Sequence, residues 1–229
     1  MDHLLNLYLP GRGWTSSITP TAAFAGLLLL LLDLLFLLLH FGLNFGYLTD
    51  RSFHLEIDAG YAEQFQYLKY FLGSVLLLSM AVRRGGLVRL VLGLLLAFLL
   101  LEDYAGLHEH FHLLGERVVS LSSLGSFAKN QLWEMIYGVT VGGGLLLLLL
   151  YAIVRTADPQ LRKWAVAMLL LIVILGGFGV AVDALHSIVQ SISSSAYLES
   201  FVGVVEDWGE MIATSGILLL VVDDVVRRF

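Results

Sequence analysis

Long apolar segments recur along this chain, and they constrain its fold more than any other feature. Two of them contain uninterrupted leucine runs, at 27–32 and 145–150. About 20 mostly apolar residues are enough for a helix to cross the roughly 30 Å hydrocarbon core of a bilayer. Because the alternating pattern of strands is missing, these segments predict membrane-spanning helices.

Six segments have the length and composition of a membrane span. Their approximate limits are 21–48, 60–82, 86–115, 127–154, 160–190 and 198–225. No linker between them is long enough to separate domains. The sequence therefore predicts an all-α integral membrane protein, with residues 1–229 forming a single bundle of six transmembrane helices.

The composition excludes several functional classes. Only 14% of the residues are charged, against about 25% in soluble domains. The 19 acidic residues outnumber the 13 basic ones, which argues against nucleic acid as a partner. Cysteine is absent, so disulfide scaffolds, thiol catalysis and Cys-ligated metal centres are excluded. Membrane lipids are the expected partners, and a homo-oligomer is compatible with the sequence.

The basic residues predict the orientation of the spans, since Lys and Arg concentrate in cytoplasmic loops. In a six-span topology one side of the membrane carries Arg12, Arg83, Arg84, Arg89, Arg155, Arg162, Lys163, Arg227 and Arg228. The opposite side carries only Arg51, Arg117 and Lys129. This asymmetry predicts a multi-pass protein of the bacterial inner membrane with both termini in the cytoplasm.

Ionisable residues accumulate in the outward halves of the predicted spans, whereas the cytoplasmic halves are almost purely Leu, Val, Ile and Gly. Such groups are costly inside a bilayer, so they are candidates for function. The outward set comprises His40, Glu63, His108, Glu109, His110, His112, Glu134, Asp183, His186, Glu206, Asp207 and Glu210. Asp33, Lys69, Glu102 and Asp103 lie nearer the midplane. Their common depth predicts a polar chamber near the outer leaflet.

Part of this set matches the ligand pattern of di-metal sites in helix bundles. Those sites take one Glu from each of two helices and a Glu-x-x-His pair from each of two others. The predicted ligands are Glu63, Glu109 with His112, Glu134, and Asp183 with His186. Carboxylates neutralise and bridge cations, and imidazole adds a nitrogen ligand. The pattern predicts one or two divalent ions, with Fe, Mn or Zn as candidates.

Other ionisable residues receive supporting roles. Predicted catalytic residues beside the metal are Glu102, Asp103, Glu206, Glu210 and Tyr67. An ion pair or a proton route is predicted from Asp33, His40, Lys69 and His108. Lys69 needs a carboxylate at its depth, and the sequence offers Asp33, Glu102 and Asp103.

Four acids near the predicted membrane surfaces have a simpler interpretation. Glu56 and Asp58 lie in the outer loop between the first two spans, and Asp223 and Asp224 lie near the cytoplasmic end of the last span. All four are expected to face water.

The stretch from Glu102-Asp103 to His108-Glu109, together with Glu206-Asp207 and Glu210, resembles a group of uncharacterised multi-pass bacterial membrane proteins. These proteins have a D-x4-H-E motif in one span and a paired-acid motif in the last. The tract at 61–69 adds to the resemblance. The resemblance implies no activity.

Four functions remain open at this point. The leading hypothesis is a metal-dependent enzyme, an oxidoreductase or a hydrolase, that acts on a lipid or another membrane-dissolved substrate. The alternatives are a cation or proton transporter or channel, a haem protein that uses His40, His112 and His186, and an assembly protein whose polar cluster joins helices. A polar path to the cytoplasm would favour transport, whereas a closed apolar floor would favour the enzyme.

The predicted topology is testable at residues 115–127, which are expected to face outward. A cysteine introduced as Ser122→Cys should react with a membrane-impermeant maleimide on intact cells, because the chain has no other cysteine. If the introduced cysteine reacts only after the cells are permeabilised, the orientation is the reverse of the predicted one.

Overall fold

The computed structural model describes residues 18–107, 132–133, 136–182, 185–186, 189 and 196–228. All regular structure in these ranges is helical, and they contain no strand. The helices are α1 (Pro20–Asn44), α2 (Tyr61–Arg84), α3 (Leu87–Ala105), α4 (Gly143–Arg155), α5 (Pro159–Gly176) and α6 (Ala196–Arg228). A 3-10 turn at Arg51–Phe53 lies between α1 and α2, and π-helical turns at Gly138–Gly142 and Gly177–Val182 extend α4 and α5.

Four of the helical segments are long and apolar enough to cross a membrane. They are Pro20–Asn44, Tyr61–Arg84, Gly138–Arg155 and Pro159–Val180. The predicted class, a helical membrane protein, agrees with this architecture. α3 and α6 carry more ionisable residues, and these side chains pack toward the other helices, as described below.

The helix ends follow from local sequence signals. α1 begins after Thr19, whose side chain accepts a hydrogen bond from the backbone of Ala22 at 3.4 Å, and α5 begins after Asp158, which accepts one from Gln160 at 2.9 Å. In both helices a proline occupies the first position, where its missing N–H costs nothing. α2 and α3 are separated by two glycines with positive φ, Gly85 at 71° and Gly86 at 108°.

α3 ends earlier than the predicted limit at residue 115. Gly106 adopts the left-handed conformation, with φ 55° and ψ 45°, and its N–H bonds to the carbonyl of Glu102. Glycine favours this C-terminal arrangement because it has no Cβ to clash. Residues 108–115 of the predicted third span lie outside the described residues.

Five helices form a closed ring around one apolar core. α2 packs against α3, α3 against α4, α4 against α5, and α6 against both α5 and α2. All five contribute to the core, for example through Leu77, Leu92, Leu149, Met168 and Ile217. Leucine side chains come close to glycines between α2 and α3. A Cβ on Gly93 would lie 2.8 Å from Leu78, and the Ser74 hydroxyl donates to the Gly93 carbonyl at 2.9 Å.

α1 lies outside this ring, where it packs mainly against α6. Apolar contacts join it through Phe36 and Leu37 to a small cluster around Met211. Its opposite face consists of exposed leucines, for example Leu31, Leu35 and Leu38, as expected for a helix in contact with lipid chains.

A buried ion pair joins α1 to α2 and α6. The Lys69 ammonium donates to the Asp33 carboxylate at 3.0 Å, to the Met211 carbonyl at 2.8 Å and to the Ser215 hydroxyl at 3.2 Å. Ser215 in turn donates to the second Asp33 oxygen at 2.6 Å. Both charged side chains are only 1% exposed. Among the three carboxylates that the sequence offered to Lys69, Asp33 is the partner.

A second set of ion pairs lies at the C-terminal end of α6. The Arg89 guanidinium binds Asp224 through two nitrogens, at 2.8 and 3.2 Å, and Arg228 also binds Asp224. Asp223 accepts hydrogen bonds from the backbone of Thr19 and from Arg227. Asp223 and Asp224 are both buried, so the expectation that they face water is wrong. Arg89 of α3 and two arginines of α6 itself, Arg227 and Arg228, supply the compensating charge.

The Lys69–Asp33 pair predicts a specific pattern of stabilities. Lys69→Met alone should destabilise the protein by about 3–5 kcal/mol, because Asp33 is then left as an uncompensated buried charge. The double variant with Asp33→Leu should recover most of this loss. Thermal unfolding in detergent micelles measures both, with Lys163→Met on α5 as the control. A single variant as stable as the wild type would contradict a buried charge pair.

Candidate functional site

Only part of the predicted di-metal site lies within the described residues. Glu63 and His186 are described, whereas Glu109, His112, Glu134 and Asp183 lie outside the described residues, as do His108 and His110. The six predicted ligands therefore cannot be placed together, and the predicted set stays a prediction.

Glu63 lies in the first turn of α2 and is held by two donors. Its carboxylate accepts hydrogen bonds from the Tyr67 hydroxyl and from the backbone N–H of Ala59. The Tyr67 ring contacts Tyr104 of α3 edge-on, with 5.9 Å between centroids, and Asp103 acts electrostatically on Tyr67. Of the predicted catalytic residues, Tyr67 and Asp103 thus lie near Glu63.

His186 pairs with Glu206 of α6. The His186 Nδ1 atom lies 3.1 Å from Glu206 Oε2, and each side chain is 16% exposed. One turn further along α6, Glu210 accepts a hydrogen bond from the Gln66 amide at 3.1 Å. The same amide lies 3.3 Å from the buried Tyr70 hydroxyl. The paired-acid motif of the last span thus contacts both α2 and the segment after α5.

Carboxylates from three parts of the chain act electrostatically on Asp207 of α6. Its charge interacts with those of Glu206, Glu210, Glu56 and Glu63. We call these five residues the outer acid cluster. Mutual repulsion among closely spaced carboxylates favours bound protons or cations. Of the residues predicted to form a polar chamber, this cluster contains Glu63, Glu206, Asp207 and Glu210.

One member of the outer acid cluster, Glu56, also belongs to a group of three residues with the geometry of a metal-ligand set. His40 of α1 and His54 and Glu56 of the loop after the 3-10 turn each offer one ligand atom, and these atoms lie within 4.8 Å of one another. The His40 and His54 rings are 4.3 Å apart between centroids. His40 was predicted to serve a proton route, and the expectation that Glu56 only faces water is wrong.

Hydrogen bonds fix the His40 ring, which is fully buried. The backbone N–H of Leu55 donates to Nδ1 at 3.2 Å, and the Asn44 side-chain amide lies 2.9 Å from Nε2. Since Nδ1 accepts, the proton of a neutral ring belongs on Nε2, where the amide oxygen can receive it. Leu55 separates His54 from Glu56 in sequence, so this one bond positions both loop ligands beside His40.

Glycine on α6 lets the loop and His186 approach the helix. A Cβ on Gly203 would lie 3.0 Å from both Glu56 Cδ and His186 Cε1. The Ser200 hydroxyl donates to Glu56 at 3.2 Å. The His40–His54–Glu56 group and the His186–Glu206 pair are therefore neighbours on opposite sides of Gly203.

His54 and Glu56 were missed because they lie outside the predicted spans. The usable signal was the short H-x-E motif in a loop that follows a span containing His40. The sequence does not reveal that this loop folds back over α1. That arrangement depends on the packing of Leu55 in one cluster with Met211, which is distant in the chain.

Comparison with family models gives one match. A family described as a domain of unknown function (DUF8692) matches residues 22–223, so the chain belongs to this family. Comparison with curated proteins and with solved structures finds no significant match.

The tight contact at Gly203 predicts a difference between two glycine substitutions. Gly144→Ala on α4 meets no atom within 4 Å, and it should stabilise the helix by about 0.5–1 kcal/mol. Gly203→Ala must displace Glu56 or His186, and it should cost about 1–3 kcal/mol through crowding. Unfolding midpoints in micelles compare the two variants. Equal shifts would show that Gly203 is not a point of close approach.

Proposed function

We propose that this member of the family is a membrane-embedded, metal-dependent enzyme that holds a divalent ion through His40, His54 and Glu56. Its substrate is a lipid or another membrane-dissolved molecule that reaches the ion from the outer half of the bundle. The observation that carries the proposal is the convergence of the three ligand atoms within 4.8 Å.

The chemistry of the three ligands supports a catalytic ion. Catalytic zinc sites have three protein ligands, including the His2Glu set, and leave a fourth position open for water or substrate. Two histidines and one carboxylate also bind the Fe(II) ion of oxygen-activating enzymes. The two activities proposed from the sequence, hydrolase and oxidoreductase, therefore correspond to two metals in the same ligand set.

A buried ring nitrogen also supports a cation. His54 Nδ1 is buried and has no hydrogen-bond partner within the part of the chain that the structure describes. Leaving such an atom unsatisfied costs free energy, so unsatisfied buried atoms are rare in native proteins. A metal ion bound by His54 would use this lone pair. With its proton on Nε2, where the Asn44 amide orients the ring, His40 would bind the ion through Nδ1 in place of the hydrogen bond from Leu55.

The outer acid cluster supplies groups beside the metal. Glu206, held by His186 at 3.1 Å, is placed to accept or return a proton. Glu210 and Asp207 lie further along the same helix, and their carboxylates are suited to bind a second cation. Such a cation was predicted from the ligand set Glu63, Glu109, His112, Glu134, Asp183 and His186. Bound to these residues, a divalent ion would activate water or oxygen.

The lower half of the bundle favours an enzyme over a transporter. Below the Lys69–Asp33 pair the ring of helices is filled by apolar side chains such as Leu77, Leu92 and Met168. Beyond this apolar layer, the next charged side chains among the described residues are Arg89 and Asp224, which form an ion pair with each other. A haem is less favoured, because haem ligation does not require a surplus of acids.

The proposed topology has six spans, both termini in the cytoplasm, and insertion in the inner membrane. α3 and α6 are the two helices added to the four apolar spans. Their ionisable groups support this assignment, since Arg89 of α3 is neutralised by Asp224 of α6 inside the bundle. Lipids are the proposed partners, and association into a homo-oligomer is compatible with this topology.

Metal analysis of the purified protein tests the proposal. We expect about one tightly bound divalent ion per chain, lost in His54→Ala and in Glu56→Gln because three ligands are the minimum of such sites. Asp58→Asn, a change of the same kind two residues further along the loop, should retain the ion. Zinc would assign the hydrolase, and iron retained under anaerobic purification would assign the oxidoreductase.

If neither His54→Ala nor Glu56→Gln loses the ion, this result contradicts the proposed site. Retention in both of them but loss in His186→Ala would instead support the ligand set predicted from the sequence. Circular dichroism checks that each variant keeps its helices.

A further inference from the structure

A pocket of about 450 Å³ opens beside the proposed metal ligands. His54 and Glu56 line it, together with Asn44, which covers the Nε2 atom of His40. The pocket lies where α1 ends, so it is at the level of the outer membrane surface in the proposed topology. A molecule in this pocket would meet the open side of the metal site.

One cation in this pocket is not held in an ion pair within the part of the chain that the structure describes. Arg51 lines the pocket and is exposed, and it makes no ion pair among the residues that the structure describes. Arg89 and Arg228, in contrast, each bind an acid. The adjacent Asp50 carboxylate accepts a hydrogen bond from the backbone of Ser52 at 3.0 Å. The guanidinium of Arg51 is therefore available to an anion.

A bound divalent ion would change the sign of the local charge. Without it, Glu56 and Arg51 balance each other. With it, the charges that line the pocket, those of Arg51, Glu56 and the ion, sum to a positive value, which favours an anionic ligand at this wall. A guanidinium and a metal ion together suit the several oxygens of a phosphate group, because arginine donates two parallel hydrogen bonds to such groups.

Apart from Thr49, the remaining wall of the pocket is apolar. It consists of Leu43, Leu48 and Ile57, and the side chain of Ile57 is 36% exposed. Leu43 belongs to the last turn of α1, and the leucine-rich surface of that helix continues toward the bilayer core. A ligand with an apolar chain would place the chain along this surface without leaving the membrane.

We propose that this pocket binds a phosphate-bearing amphiphile, with the phosphate between Arg51 and the metal and the apolar chain along Leu43, Leu48 and Ile57. The inference rests on the proposed function, since the metal supplies part of the positive charge. It defines the substrate class of that site as phospholipids or other membrane-anchored phosphate esters.

Calorimetric titration of the metal-loaded protein in uncharged maltoside micelles tests this inference. The probe is decyl phosphate, and inorganic phosphate and decanoate are the comparison ligands. We expect Arg51→Gln to weaken decyl phosphate binding roughly tenfold or more, while the metal content stays unchanged. Arg51→Lys should weaken it less. Arg155→Gln, which removes an exposed arginine at the end of α4, should bind like the wild type.

The comparison ligands separate the sources of the phosphate. Weaker binding of inorganic phosphate and of decanoate than of decyl phosphate supports a membrane-anchored phosphate ester. Equal affinity for inorganic phosphate would overturn the role of the apolar wall, and tighter binding of decanoate would overturn phosphate recognition. Unchanged affinity in Arg51→Gln would overturn the whole inference.

The proposed function and this inference fail in different ways. A protein that retains the metal but does not bind decyl phosphate would overturn the inference and leave the metal site intact. A protein without metal would overturn the proposed function, and in that case loss of decyl phosphate binding in Arg51→Gln would still assign the pocket to a phosphate amphiphile.

Discussion

The buried pair between Lys69 and Asp33 is the interaction on which the outer half of the structure depends. α1 lies outside the ring of five helices, where apolar contacts alone would only weakly fix its position along the helix axis. The ion pair, completed by Ser215 and the Met211 carbonyl, fixes that position against α2 and α6. His40 follows Asp33 by seven residues and therefore lies on the same face of α1, two turns outward. The pair thus sets the level at which His40 meets the loop of His54 and Glu56.

Charge is distributed in three layers with different consequences. In the layer of Arg89 and Asp224 and in the layer of Lys69 and Asp33, acids lie beside bases, and the charges bind the helices to one another. The outer acid cluster instead brings five carboxylates together, with histidines beside them. Close carboxylates repel each other, so this layer favours a cation. Acidic residues therefore stabilise the bundle at two depths, where bases lie beside them, and favour a ligand site at the third.

The comparison of sequence and structure shows where pattern-based reasoning succeeds. The helical membrane class followed from hydropathy, because apolar length is a local property of the chain. The need of Lys69 for a carboxylate followed from the cost of a buried charge, but the choice of Asp33 over Glu102 and Asp103 did not. Both α1 and α3 offered an acid near the right depth. Only the packing of α1 against α6, which brings Asp33 to Lys69 of α2, decided between them.

The sequence by itself determined that this chain forms long apolar helices, and it predicts that acids and imidazoles concentrate in one half of them. Helix formation and burial depth depend on near neighbours along the chain, so they can be inferred from spacing. The tertiary structure alone decided that a loop expected to face water supplies His54 and Glu56, and that Asp223 and Asp224 are buried against arginines. Those outcomes depend on contacts between distant segments: Leu55 with His40 and Met211, Glu56 with Ser200, and Asp224 with Arg89. No local pattern encodes such contacts, because each partner's position is set by the packing of a different helix.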